Sequence, residues 1–150
     1  MRYFSGNYLN RVDAKGRVSI PAPFRGALET MTDGHIGLRL RDQTIAAYTS
    51  KFIDEVMRRL EELPSDSPER HLLAHKYLGS IQQIRPDGEG RIIVPRDMAQ
   101  QAKIDREAIF VGLGDHFEIW QPEIYQTFSA SIVTQTESLT LPSLRSKVER

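Results

Sequence analysis

A nine-residue phrase occurs twice in the chain, 74 positions apart, and it constrains the fold more than any other feature of the sequence. The first copy, at residues 13–21, reads DAKGRVSIP, and the second, at residues 87–95, reads DGEGRIIVP. A repeat separated by about half the chain length predicts two similar halves that pack as a pseudo-dimer. The repeat also gives Arg17 and Arg91 equivalent environments. Paired cations related by a local two-fold axis suit a ligand that is itself repetitive and anionic.

Each phrase predicts a tight turn that leads into a strand. Asp13 and Asp87 can accept hydrogen bonds from the backbone two residues on, and Gly16 and Gly90 tolerate positive φ. Each arginine directly follows its glycine, on the strand face opposite to the apolar side chains. In a purely structural interpretation, the aspartate caps the turn and pairs with the arginine. In a functional interpretation, the planar guanidinium binds phosphate or reads guanine edges.

The similarity of the two halves continues beyond the phrase. Residues 42–48 match residues 114–120 at an offset of 72, and a helix is predicted after each copy. Alternating apolar residues predict strands over 4–12, 36–41 and 44–48. In the helix after residue 48, an apolar stripe faces inward, and the i,i+4 spacing predicts the ion pairs Asp54–Arg58 and Glu55–Arg59 on the outer side.

Proline and serine mark the boundary between the halves. The sequence LPSDSP at residues 63–68 ends one helix and offers N-cap residues to the next. We therefore predict an N-terminal half at 1–63, a helical linker at 64–76, a C-terminal half at 77–128 and a tail at 129–150. The tail has weak periodicity, so residues 139–148 are expected to form either a short terminal helix or a disordered end.

Charge is balanced overall but unevenly distributed. The formal net charge is zero, yet residues 2–25 hold one acidic residue against five basic ones, Arg2, Arg11, Lys15, Arg17 and Arg25. This segregation predicts a basic face and an acidic face. The chain has no cysteine, which excludes a disulfide framework and a thiol nucleophile. No apolar run approaches a membrane span and the N-terminus lacks a signal-peptide pattern, so a cytoplasmic protein is expected.

Signals for catalysis, metals or cofactors are weak. His71 and His75 have helical i,i+4 spacing, but no third ligand is evident, and a solvated face is expected rather than a zinc site. Asp13 and Asp87 each have a neighbouring arginine, which keeps a carboxylate ionised rather than poised for proton transfer. The sequence has no phosphate-binding loop, nucleophile elbow or dinucleotide fingerprint. Trp120 and Tyr48 occupy equivalent positions and are expected to be packing residues.

The combined motifs resemble a known family. FxGxY at residues 4–8, DxKGRxxIPxxFR at 13–25, DxxGRIxVP at 87–95 and EIW at 118–120 are similar to the MraZ family of bacterial regulators. The match runs from about residue 4 to residue 128. The resemblance implies a mainly β fold with flanking helices, in which two AbrB-like swapped-hairpin halves form one pseudo-symmetric β-barrel.

The resemblance also implies a function and a site. It implies a DNA-binding transcription factor that represses its own division and cell-wall operon, and that forms ring-shaped homo-oligomers on tandem promoter repeats at the nucleoid. The family signature falls on Asp13/Arg17 and Asp87/Arg91, with the arginines facing DNA and the aspartates shaping the turns. Lys15 matches a basic position of the motif, whereas the second copy has Glu89 there, which predicts unequal contributions from the two halves.

We therefore predict a sequence-specific DNA-binding regulator without enzymatic activity. Arg17 and Arg91 would face the DNA, and Lys15, Arg11 and Arg25 would attract phosphate. Two alternatives stay open at this point. One is an antitoxin-type module whose tail, residues 129–150, wraps a protein partner. The other is a small hydrolase or metal enzyme that uses His71 and His75.

Overall fold

The computed structural model describes residues 3–31 and 34–142, and the same order of elements occurs twice in them. The first half contains β1 (Asn7–Arg11), β2 (Arg17–Ser19), α1 (Ala22–Met31), β3 (Ile36–Arg41), β4 (Thr44–Tyr48) and α2 (Ser50–Leu60). The connection contains α3 (Pro68–Ala74) and its π-helical extension (His75–Gly79). The second half contains β5 (Gln82–Ile84), β6 (Arg91–Ile93), α4 (Arg96–Gln101), β7 (Glu107–Gly112), β8 (His116–Trp120) and α5 (Pro122–Gln135).

Two strand pairs relate the halves by a local two-fold axis. β2 and β6 are antiparallel, with Val18 opposite Ile92, and these two residues are equivalents at the offset of 74. β4 and β8 are antiparallel, with Ala46 opposite Glu118, which are equivalents at the offset of 72. Equivalent residues that face each other in an antiparallel ladder lie on a two-fold axis. The two offsets read from the sequence therefore describe the pairing across this axis.

The halves exchange their outer strands. β1 pairs with β7 of the second half, with Leu9 opposite Ile109. β5 pairs with β3 of the first half, with Gln83 opposite Gly37. Together with the hairpins β3–β4 and β7–β8, these pairings form a six-stranded sheet of order β1-β7-β8-β4-β3-β5. Each half therefore depends on the other to complete its sheet.

The strands β2 and β6 form a separate two-stranded sheet, called the ribbon below. Closure into one barrel is not confirmed, because β1 and β5 end the hydrogen-bonded order of the larger sheet in the described part of the chain. β1 touches the ribbon through an isolated bridge between Val12 and Val18 and through Asn10, whose Nδ2 donates to the Ser19 carbonyl at 2.6 Å. The described fold is mainly β with flanking helices, in agreement with the predicted class.

One hydrophobic core lies between the ribbon and the larger sheet. The ribbon contributes Val18 and Ile92, which are 1% and 2% exposed, and the larger sheet contributes Phe110 and Phe117 among others. Phe24 of α1 is fully buried and packs against Phe117 with ring centroids 5.3 Å apart. Because the inner face of the ribbon is committed to this core, its other face points away from the core.

The helices differ from the sequence prediction in two respects. Arg58 pairs with Glu55 (2.7 Å) and Glu62 (3.4 Å) rather than with the predicted Asp54, while the predicted pair of Glu55 and Arg59 is present at 2.8 Å. Helix α5 continues to Gln135, beyond the point at which the sequence loses clear periodicity. Most of the terminal segment 139–148 lies outside the described residues.

Candidate nucleic-acid interface

The first turn, residues 13–17 (the first tip), is organised by one carboxylate. Asp13 Oδ1 accepts hydrogen bonds from the backbone N–H groups of Lys15 and Arg17, both at 2.9 Å. Asp13 Oδ2 accepts from Arg17 Nε at 2.8 Å. Gly16 has φ +82°, the left-handed conformation that glycine adopts without steric cost. The motif therefore fixes the backbone and the arginine side chain with the same aspartate.

The second turn, residues 87–91 (the second tip), repeats this arrangement. Asp87 Oδ1 accepts from the N–H groups of Glu89 (2.9 Å) and Arg91 (3.0 Å), and Oδ2 accepts from Arg91 Nε at 2.9 Å. Gly90 has φ +77°. Because each bond has a counterpart of nearly the same length in the first tip, the repeated phrase encodes one local structure twice.

The electrostatics of both tips keep the aspartates ionised. The pKa of Asp13 is lowered, chiefly by the hydrogen bond from the Arg17 backbone N–H, with the Arg17 side chain also lowering it. The pKa of Asp87 is lowered in the same way by Arg91. A carboxylate that stays charged well below neutral pH is a poor proton shuttle at pH 7. The geometry therefore favours a positioning role for both aspartates over acid–base catalysis.

Both arginines lie on the outer face of the ribbon. Arg17 is opposite Ile93 and Arg91 is opposite Ser19, so the two arginines occupy diagonal corners of the ladder. Strand spacing and rise place their Cα atoms roughly 8 Å apart. The side chains are 32% and 30% exposed, and Ile93 between them is 57% exposed. The outer face therefore presents two guanidinium groups around an accessible apolar side chain.

The other predicted basic residues lie around the tips. Lys15 is exposed on the first tip, and Arg11 is exposed at the end of β1. Arg85 was not predicted as a site residue, although it is the equivalent of Arg11 at the offset of 74. Arg85 Nη2 lies 3.2 Å from His35 Nε2, beside the second tip.

Arg25 occupies a position that the sequence did not predict. Its Nε donates to the Ile20 carbonyl at 3.2 Å, and its exposed guanidinium lies against Gly90 of the second tip. It lines a cleft of about 640 Å³ together with Arg85 and Glu89. The equivalent cleft under the first tip, about 390 Å³, has Ala99 in place of Arg25. Arg25 therefore belongs to the second tip, although it lies near the first tip in sequence.

The histidines and the equivalent aromatic residues have local roles. The rings of His71 and His75 are 4.7 Å apart, and no cluster of three potential metal ligands is found within residues 3–31 and 34–142. Tyr48 and Trp120 are buried, which confirms the prediction that they are packing residues. His116 stacks on Tyr48, and its Nδ1 lies 2.8 Å from Asp115 Oδ1.

Within the described chain, no helix has both the length and the apolar character needed to cross a membrane.

The fold and the paired tips define a duplicated, strand-exchanged β protein with two aspartate-held arginines on a two-stranded ribbon. A sequence model described as "MraZ protein, putative antitoxin-like" matches residues 78–147. A transcriptional regulator MraZ of Rickettsia felis is 35% identical, over 94% of this chain and 97% of the relative. One from Parvibaculum lavamentivorans is 34% identical, over 86% of this chain and 82% of the relative. The chain belongs to the MraZ family, and these relatives support a role as a transcriptional regulator.

Proposed function

We propose that this protein is a sequence-specific DNA-binding regulator that contacts the major groove through the outer face of the ribbon. The observation that carries the proposal is the pair of arginines held in the same geometry by Asp13 and Asp87. A major groove about 12 Å wide admits a two-stranded β-ribbon. The estimated separation of the two arginines is compatible with simultaneous entry into one groove.

The hydrogen bond between Asp13 and Arg17 favours base reading by Arg17. Asp13 engages Nε of Arg17, which leaves the terminal nitrogens of the guanidinium for a ligand. A guanidinium that presents two N–H groups can bond to O6 and N7 of guanine at once. Lys15 and Arg11, both exposed, would supply phosphate contacts, and Arg25 would act at the second tip.

The family resemblance carries the finer proposal. The regulator would repress its own operon and bind tandem promoter repeats as a ring of subunits, with the two halves closing into one barrel. In such a ring each subunit makes a shallow contact, and the contacts add as avidity because the subunits are linked. A protein with this task would act at the nucleoid in the cytoplasm.

Promoter-binding measurements with single-residue variants test this function. Arg17→Ala should weaken the binding free energy by about 1–3 kcal/mol per base contact, because it removes a bidentate hydrogen-bond donor. Lys15→Ala should weaken binding to all DNA sequences, and it should reduce the slope of log K against the logarithm of the salt concentration by about one. Arg58→Ala on α2 is a matched control, since it removes an exposed arginine outside the ribbon. An affinity of Arg17→Ala equal to that of the wild type would contradict the proposal.

A second candidate function is an antitoxin-type protein-binding module. The matched family description contains the term antitoxin-like, and α5 presents Val133, which is exposed. The test is deletion of the tail, residues 129–150, which removes Val133 and keeps Phe128 on Trp120. Loss of a protein partner with retained promoter binding would favour this candidate.

A further inference from the structure

The second tip carries a carboxylate where the first carries an ammonium group. Lys15 and Glu89 occupy the same place in the repeat, between the aspartate and the glycine. Glu89 Oε2 lies 3.4 Å from Arg91 Nη2, while Asp87 engages Nε of the same arginine. Among the described residues Arg91 therefore pairs with two carboxylates, whereas Arg17 pairs with Asp13 alone.

We propose that Glu89 competes with DNA for Arg91 and makes the second tip the weaker of the two. The inference rests on the DNA-binding function proposed above. For Arg91 to direct both terminal nitrogens at a guanine, it must release Glu89. The released carboxylate then faces a polyanion, which adds repulsion to the cost of the broken pair.

The charge of each tip supports this asymmetry. In the first tip, Lys15 and Arg17 outnumber Asp13 by one charge, and in the second, Asp87 and Glu89 outnumber Arg91 by one. Arg25 is exposed beside Gly90 and restores one positive charge there, which leaves the second tip near neutral while the first tip keeps a net charge of one. Each subunit would thus present one strong and one weak contact, which gives its footprint a direction along the DNA.

The contact between Glu89 and Arg91 can be removed without changing the turn. The backbone N–H of Glu89 donates to Asp87 Oδ1, so a change confined to the side chain leaves this bond in place. The Glu89 side chain is 73% exposed, which limits the strength of its pair with Arg91. Exposed ion pairs shift an equilibrium by about 1.4- to 5-fold.

A double-mutant cycle tests the inference. Promoter affinity is measured at one salt concentration for the wild type, Glu89→Gln, Arg91→Ala and the double variant. We expect Glu89→Gln to bind about 1.4- to 5-fold more tightly per subunit in the wild-type background. The gain should be smaller when Arg91 is already alanine, because the ion pair is then absent and only the repulsion between the carboxylate and DNA is removed. The same gain in both backgrounds would overturn the inference, because it would reveal a general effect of charge.

Glu29→Gln is the matched control. Glu29 lines the same cleft as Glu89 and carries the same charge, but no ion pair joins it to Arg91 among the described residues. Its removal should leave the affinity within about 1.4-fold of the wild type, below the range of an exposed ion pair. A gain equal to that of Glu89→Gln would also overturn the inference. Equal unfolding midpoints for the wild type and both glutamine variants would show that the fold is unchanged.

Arg17→Ala in the same assay separates the inference from the proposed function. Loss of affinity for Arg17→Ala without a gain for Glu89→Gln would refute the role of Glu89 and leave the DNA-binding function standing. Unchanged affinity for Arg17→Ala would refute the function and the inference together.

Discussion

Alanine at the two tip glycines should have unequal costs, although the glycines have nearly the same φ. Placing alanine at Gly16 or Gly90 forces a side-chain-bearing residue into the left-handed region, at a cost of about 1–2 kcal/mol. At Gly16 the new Cβ would meet only Ile93 Cγ2, at an ordinary 3.9 Å. At Gly90 it would lie 2.7 Å from Arg25 Nε and 3.0 Å from Arg25 Cζ, so Arg25 must move.

The displacement of Arg25 sets the expected difference. Moving Arg25 breaks its bond to the Ile20 carbonyl, and a hydrogen bond of this kind contributes about 0.5–1.5 kcal/mol net. Gly90→Ala should therefore destabilise the protein by that amount more than Gly16→Ala does. In an Arg25→Ala background the difference should disappear, because no side chain then opposes the new Cβ.

Denaturant unfolding followed by tryptophan fluorescence measures this difference. Trp120 is the one tryptophan of the chain, and it is buried against Phe128 and Tyr125, so its emission reports loss of the fold. All variants are compared at one protein concentration, because self-association changes apparent stability. Equal free energies of unfolding for Gly16→Ala and Gly90→Ala, or a difference that persists without Arg25, would refute the reasoning.

Two further predictions concern the core and helix α2. Phe24→Ala should lower the free energy of unfolding by about 3–5 kcal/mol, since it empties a fully buried site against Phe4, Tyr8 and Phe117. A loss below about 1 kcal/mol in denaturant titration would show that the core collapses around the substitution. The pKa of Glu55 is lowered to about 2 by hydrogen bonds from Arg58 and then Arg59. The contribution of these ion pairs to the stability of the fold is therefore complete above the ordinary glutamate pKa, and it is lost as pH falls through about 2. NMR titration should show this pKa returning toward its ordinary value when both arginines become glutamine, and a pKa that stays near 2 would contradict the assignment.

The repeated phrase predicted the tips because their structure is local. In each tip the aspartate, the glycine and the arginine lie within five consecutive residues. The spacing of these three residues in the sequence is therefore enough to predict the turn. The offsets of 74 and 72 also predicted the relation between the halves. In a local two-fold arrangement, equivalent strands pair around equivalent residues, as Val18 and Ile92 do.

Contacts between distant segments were not predictable in the same way. Arg25 reaches Gly90 because α1 packs beside a turn that lies 65 positions further along the chain, and the repeat has Ala99 instead of a second arginine.

The prediction that Arg58 pairs with Asp54 was wrong for a different reason. Residues three and four apart are both neighbours on a helix, and the choice of Glu55 over Asp54 depends on side-chain rotamers.

The exchange of outer strands has a consequence for synthesis on the ribosome. β1 pairs with β7, whose first residue is Glu107. In the nascent chain β1 therefore has no partner strand until about 100 further residues are made, which takes roughly 5–20 s. Until β5 is made the hairpin β3–β4 lacks both of its neighbours, and until β8 is made it still lacks one. Unpaired strand edges recruit strands from other chains. Neighbouring nascent copies on one polysome carry strands of the same design, so translation is the stage at which this architecture is most exposed to intermolecular swapping.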